Sequence, residues 1–180
     1  MRQLGEYRAA RELNEEVLVH LRRVLGPDHP DTLTTASNLS LDLNDLGEEA
    51  AARELIEDVL RRRRRVLGAD HPDTLKAAGN LANSLYRLGE YEASRELGED
   101  AFARFRQVLG QDHPETLTTA DNLAYSLRRL GEHRAARELD EDTLMRRRRV
   151  LGEDHPHTRH SAANLAADLR ALAEPEAGSD

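Results

Sequence analysis

The sequence predicts an all-α, right-handed superhelical solenoid of antiparallel helix hairpins, about eight helices long. Three observations predict it. First, one block of 42 residues is written four times. Leu25-Gly26, Leu67-Gly68, Leu109-Gly110 and Leu151-Gly152 each stand three residues before a His-Pro pair, and an Asn-Leu pair follows at Asn38, Asn80, Asn122 and Asn164. A fixed period of this length means supersecondary units that hide their apolar faces only against one another. Second, between these markers apolar residues recur at steps of three and four, which is one face of a helix. Third, lone glycines and His-Pro pairs stand where helices would stop and start.

In chain order, residues 1–26 match the second helix of a truncated repeat, and Leu4-Gly5-Glu6 repeats the turn found at Leu46, Leu88 and Leu130. Whole repeats follow at 27–68, 69–110 and 111–152, then a capping helix at 153–173 and a polar tail at 174–180, all within one solenoid domain. The phase suggests the C-terminal end of a longer repeat protein. It also leaves Leu4, Ala9, Leu13 and Val17 as an exposed apolar face suited to self-association.

The repeat at 69–110 shows the logic. Asp70-His71-Pro72-Asp73 is a helix start: Pro72 presets φ, Asp70 or His71 can cap, and Asp73 places negative charge beside the orphan N–H groups. Leu75, Ala78, Leu81, Ala82, Leu85 and Leu88 then form one apolar face before Gly89. A second helix begins near Glu90 and carries Tyr91, Ser94, Leu97, Ala101, Phe102, Phe105, Val108 and Leu109 at helical spacing. The short turn between the two requires an antiparallel hairpin.

Composition excludes several functions. A net charge of −8 is the wrong sign for general nucleic-acid binding. With 33% charged residues and a mean hydropathy of −0.72, no run approaches a membrane span. Cysteine is absent, so no disulfide framework or thiolate metal site exists, and cytoplasmic residence is expected. Lys76 is the only lysine in an arginine-rich chain, a bias that suggests a GC-rich, actinobacterial genome.

The string LGADHPDTLKAAGNLANSLYRLGEYEASREL resembles the 42-residue tetratricopeptide repeats of kinesin light chains and related bacterial proteins. The resemblance covers nearly the whole chain. It implies an all-helical solenoid without catalysis or cofactor, binding a protein or peptide in a groove lined by the first helices. A different role is also open: the sensor or autoinhibitory region of a larger bacterial signalling ATPase or transcription regulator.

The recurring asparagines are the most informative polar residues, since asparagine is a middling helix former. Each amide could bond a neighbouring backbone within the stack. Alternatively, as in similar repeats, it could bond the main chain of an extended peptide, offering both donor and acceptor. Helical geometry places Thr34, Ser37, Leu41 and Asn44 beside Asn38. In the second repeat the neighbours of Asn80 are Lys76, Asn83, Tyr86 and Arg87. In the third, Asn122 is accompanied by Thr118, Asp121, Tyr125, Arg128 and Arg129. The strip leans basic from Lys76 to Arg129, which would suit an acidic peptide.

Other chemistry reads as structural. The runs Arg61 to Arg65 and Arg146 to Arg149 end helices whose first halves are acidic, so a solvated face that also meets neighbouring carboxylates is expected. The His-Pro histidines recur one per repeat, too far apart to share an ion. Only His155, His157 and His160 cluster locally, without a carboxylate or thiolate to complete a metal set. Glycines occur singly, with no phosphate loop or nucleophile elbow. Carboxylates are expected along exposed faces, with no dry pocket to separate their pKa values.

Overall fold

A computed structural model describes the backbone of residues 2–173 and the side chains from Arg8 onward. Among the described residues there are eight α-helices and no strand. The predicted tail at 174–180 and the side chain of Leu4 lie outside them. The chain divides into two compact units, Met1–Glu90 and Tyr91–Asp180. In the first, α1 (Arg2–Val24), α2 (Pro30–Asp45), α3 (Glu49–Leu67) and α4 (Pro72–Arg87) each pack on the next, and α2 also touches α4. In the second, α5 (Tyr91–Val108), α6 (Pro114–Arg129), α7 (His133–Leu151) and α8 (Pro156–Ala173) pack in the same sequential manner.

The ends of these helices follow from the punctuation. His29, His71 and His113 are the N-caps of α2, α4 and α6, each accepting through Nδ1 from the backbone N–H two residues on, at 3.1–3.2 Å. His155 makes the same bond at the start of α8. Proline is the next residue each time, so the cap and the fixed φ act on one turn. Losing this acceptor in His113→Ala is expected to cost about 1 kcal/mol, visible as faster amide exchange in the first turn of α6. At the other end, Gly89 has φ 82°. Its N–H donates to the Tyr86 carbonyl and that of Glu90 to the Leu85 carbonyl, the Schellman pattern that turns the chain back after α4.

The core is mostly leucine and alanine, with single larger side chains. Of the apolar face predicted for α4, Leu75, Ala78, Leu81, Ala82 and Leu85 are buried, but Leu88 is exposed. Leu88 is the C-cap residue, past the last helical turn, so its side chain leaves the packed stripe. On α5, Ser94, Ala101 and Phe105 are buried, whereas Val108 is exposed. Gly98 lies against Leu123 of α6, where an added Cβ would sit 3.5 Å from that side chain.

The arginine runs depart from the solvated-face expectation at one residue each: Arg63 and Arg147 are buried. At 100° per residue a run of four or five leaves no face of the helix more than one step from a member of the run, so one points inward. Positions 63 and 147 share the register of buried Phe105, so their long stems occupy core space. Arg63 donates to the Asp73 carbonyl and to Thr34 Oγ1, and burial pulls its pKa below the usual arginine range. The outward arginines do meet carboxylates. Arg62 and Arg65 both reach Asp28, and Arg146 and Arg149 both reach Asp112. A second series joins each second helix to the next hairpin turn: Arg11–Glu48, Arg53–Glu90 and Arg95–Glu132. Such half-exposed pairs set register more than they add stability.

Candidate functional site

Two polar regions lie on the first helices of the hairpins, one open to solvent and one buried. In the first unit the open strip runs across α2 and α4. Asn38, Thr34, Leu41 and Lys76 are exposed, while Asn80, Asn83 and Tyr86 are half-buried. Ser37 and Asn44 turn inward. Asn44 Nδ2 donates to Ser84 Oγ at 2.9 Å, tying α2 to α4 beneath the strip. Among the described residues the side-chain amides of Asn38 and Asn80 make no hydrogen bond. Their alignment on touching helices therefore leaves donors and acceptors facing outward. Arg87 is less available than the sequence implies. Its guanidinium donates to the Asn44 carbonyl and lies 3.6 Å from Glu49.

In the second unit the equivalent residues form a closed network. Asn122 is half-buried without a side-chain hydrogen bond among the described residues, but Asn164 is buried and accepts from the Tyr125 hydroxyl at 3.2 Å. The same hydroxyl is 3.0 Å from His160 Nε2. Exposed Arg129 stacks over Tyr91 at 4.7 Å, and Arg128 over Tyr125 at 4.7 Å. Arg128 is held inside the fold: Nη1 donates to Asp140 Oδ2 at 2.6 Å and to both Asp168 oxygens at 3.1 Å. Asp140 on α7 and Asp168 on α8 are both fully buried. Beside them Asp121 on α6 and Arg147 on α7 form a second buried pair at 2.6 Å, and Arg147 also donates to Ser161 on α8.

These aspartates correct the expectation that carboxylates lie only on exposed faces. Asp140 stands at the register of Ile56 and Gly98, and Asp168 at that of Ser84 and Ser126, so both occupy inward positions of the repeat. An aspartate where sister repeats carry isoleucine or glycine was the signal in the sequence. Burial raises the pKa of Asp140 to about 7, with Asp168 adding to the rise and Arg128 opposing it. Burial likewise raises that of Asp121 against the pull of Arg147. One cation between two covered carboxylates favours keeping a proton in the cluster. The groups are shielded from solvent, so the arrangement joins three helices and offers a substrate no access.

The three clustered histidines are engaged separately. His155 Nδ1 caps α8, its ring stacks on His157 at 5.3 Å, and His160 faces Tyr125. Among the described residues no three His, Cys, Asp or Glu side chains converge as metal ligands. No described helix is long and apolar enough to cross a membrane. A cleft lined by Asp112, Leu117, Arg147 and His157 has a volume of about 50 Å³, room for water and too small for a metabolite.

Hairpins of this length and register carry family models for the tetratricopeptide repeat, matched at residues 1–31, 32–73 and 73–145. The chain belongs to the tetratricopeptide-repeat family. Among solved structures, kinesin-light-chain-type TPR-like repeats from Podosopora anserina are 28% identical, with a TM-score of 0.79 over 94% of this chain and 80% of theirs. They are similar in a second crystal structure, at a TM-score of 0.78. BtubC (BKLC) from P. vanneervenii has the same fold at 21% identity. Its TM-score is 0.80, over 95% of this chain and 68% of that one. Comparison with curated proteins gives no match. TPR arrays are generally protein–protein interaction scaffolds rather than catalysts.

Proposed function

We propose that this TPR chain holds an extended segment of a partner protein along the first-helix strip of α2 and α4. Asn38 and Asn80 carry the reading: equivalent amides on touching helices, reached by solvent and unused inside the fold. A peptide main chain presents donors and acceptors in alternation, which a row of amides can match. Leu41 offers an exposed apolar contact beside them, and Asn122 is the equivalent amide in the second unit. The exposed positive charge of Lys76 on α4 would favour acidic segments, while Arg87 and Arg128 are engaged by internal partners. Rim charges of this kind govern encounter and selectivity more than affinity.

Selection from a displayed random-peptide library against the purified chain tests the reading. Bound peptides should lose about tenfold in affinity for the Asn38→Ala/Asn80→Ala double variant, on the order of 1–2 kcal/mol for the amide bonds. Unchanged affinity in a variant of normal helicity would remove the strip from the binding site.

A further inference from the structure

The two end helices leave open the faces that interior helices bury. Helix α3 is packed by α2 before it and α4 after it, whereas α1 is packed by α2 alone among the described residues. The consequence shows at one repeat position. Val59 on α3 and Thr143 on α7 are each 1% exposed, but their equivalent on α1, Val17, is 37% exposed. Leu13, one turn away on the same face, is still more open. What Val17 lacks is the cover that a preceding first helix supplies.

At the other end, α8 is such a first helix. It packs on α7, and no described helix follows it. Leu43 on α2 and Leu127 on α6 are each 6% exposed, and their equivalent on α8, Leu169, is 47% exposed. The open face of α8 is therefore the one that a following second helix covers. Each end lacks what the other has.

We propose that the occupant of the α1 face is α8 of a second copy of this chain, forming an intermolecular hairpin like that of α2 with α3. Register and charge both support a second copy. The Leu4-Gly5 pair in the first turn of α1 lies four whole 42-residue periods before Leu172-Ala173 at the end of α8, so the two helices are in phase as halves of one repeat. The ion pair that spans the α2–α3 and α6–α7 hairpins also has its halves. Asp28 pairs with Arg65 and Asp112 with Arg149. By register, Asp154 before α8 would face Arg23 on α1 of the next copy, and both are exposed. Among the described residues Asp154 pairs with its own neighbour, Arg159. The contact is heterologous, head to tail, so association does not stop at a dimer.

Sedimentation equilibrium of the 180-residue chain reads the result. The average mass should rise with concentration past that of a dimer. Val17→Asp and Leu169→Asp should each be monomeric, with helicity by circular dichroism unchanged. Mixed in equal amounts they should form a dimer and nothing larger, since one intact α8 meets one intact α1. Val66→Asp, at another open position, should associate as the parent does. A parent chain that stays monomeric up to millimolar concentration would overturn the proposal and leave the α1 face to a segment preceding this sequence. Association of Leu169→Asp by itself would overturn it in favour of a symmetric α1–α1 contact.

Discussion

Replacing Arg128 by methionine is expected to destabilise the second unit by about 3–5 kcal/mol near pH 8, because it leaves two buried carboxylates without their cation. Denaturant unfolding followed by circular dichroism at several pH values measures it. The loss should shrink toward pH 5, where Asp140 holds its proton and one buried charge fewer is left unpaired. The companion variant Asp140→Asn has the opposite expectation. In the folded chain Asp140 titrates near 7, well above its unfolded value, so between about pH 4 and 7 the native state binds more protons than the unfolded one. Stability from this group is therefore greatest in acid and falls as pH rises through 7. Asparagine removes that slope. The variant should match the parent near pH 5 and exceed it at pH 8 by on the order of 1–3 kcal/mol. Asp28 and Asp112, whose arginine partners lower their pKa values, act in the other direction and only in stronger acid, so the difference between variant and parent isolates Asp140. A pH-independent difference would show that the cluster holds no shared proton.

The second large effect is expected at Phe105, which is 1% exposed on α5 and the bulkiest fully buried side chain described. Phe105→Ala should cost about 3–5 kcal/mol, from lost transfer energy and from a cavity that neighbouring helices cannot close. In a repeat array each unit is supported mainly by its neighbours, so the loss should be local. Amide exchange should accelerate in α5 and α6 well before it does in α1 and α2. Uniform loss of protection along the chain would instead indicate one cooperative block.

Local pattern carried far in this molecule. Helices end at Leu67 and Leu151 and begin at Pro72, Pro114 and Pro156, where the Leu-Gly and His-Pro pairs stand, since caps and glycine stops act through bonds a few residues long. The 3.6-residue period also identified the buried stripe of α4, all but Leu88. The strip of Asn38 and Asn80 was legible for the same reason: equivalent positions in equivalent repeats take equivalent faces.

Departures from the repeat were read less well. Arg63 and Arg147 looked like members of charged surface runs, and nothing in their own neighbourhood shows which arginine of each run turns inward. Asp140 looked like one more acid on a helix already rich in them, and Arg128 like a cation free to meet a partner. Their meeting with Asp168 brings three helices and 40 residues of intervening chain to one point. Periodicity assigns a residue to a face of its own helix, but charge neutralisation depends on which faces meet. That is a property of packing between helices, and so are the raised pKa of Asp140 and the engagement of Arg128 inside the fold.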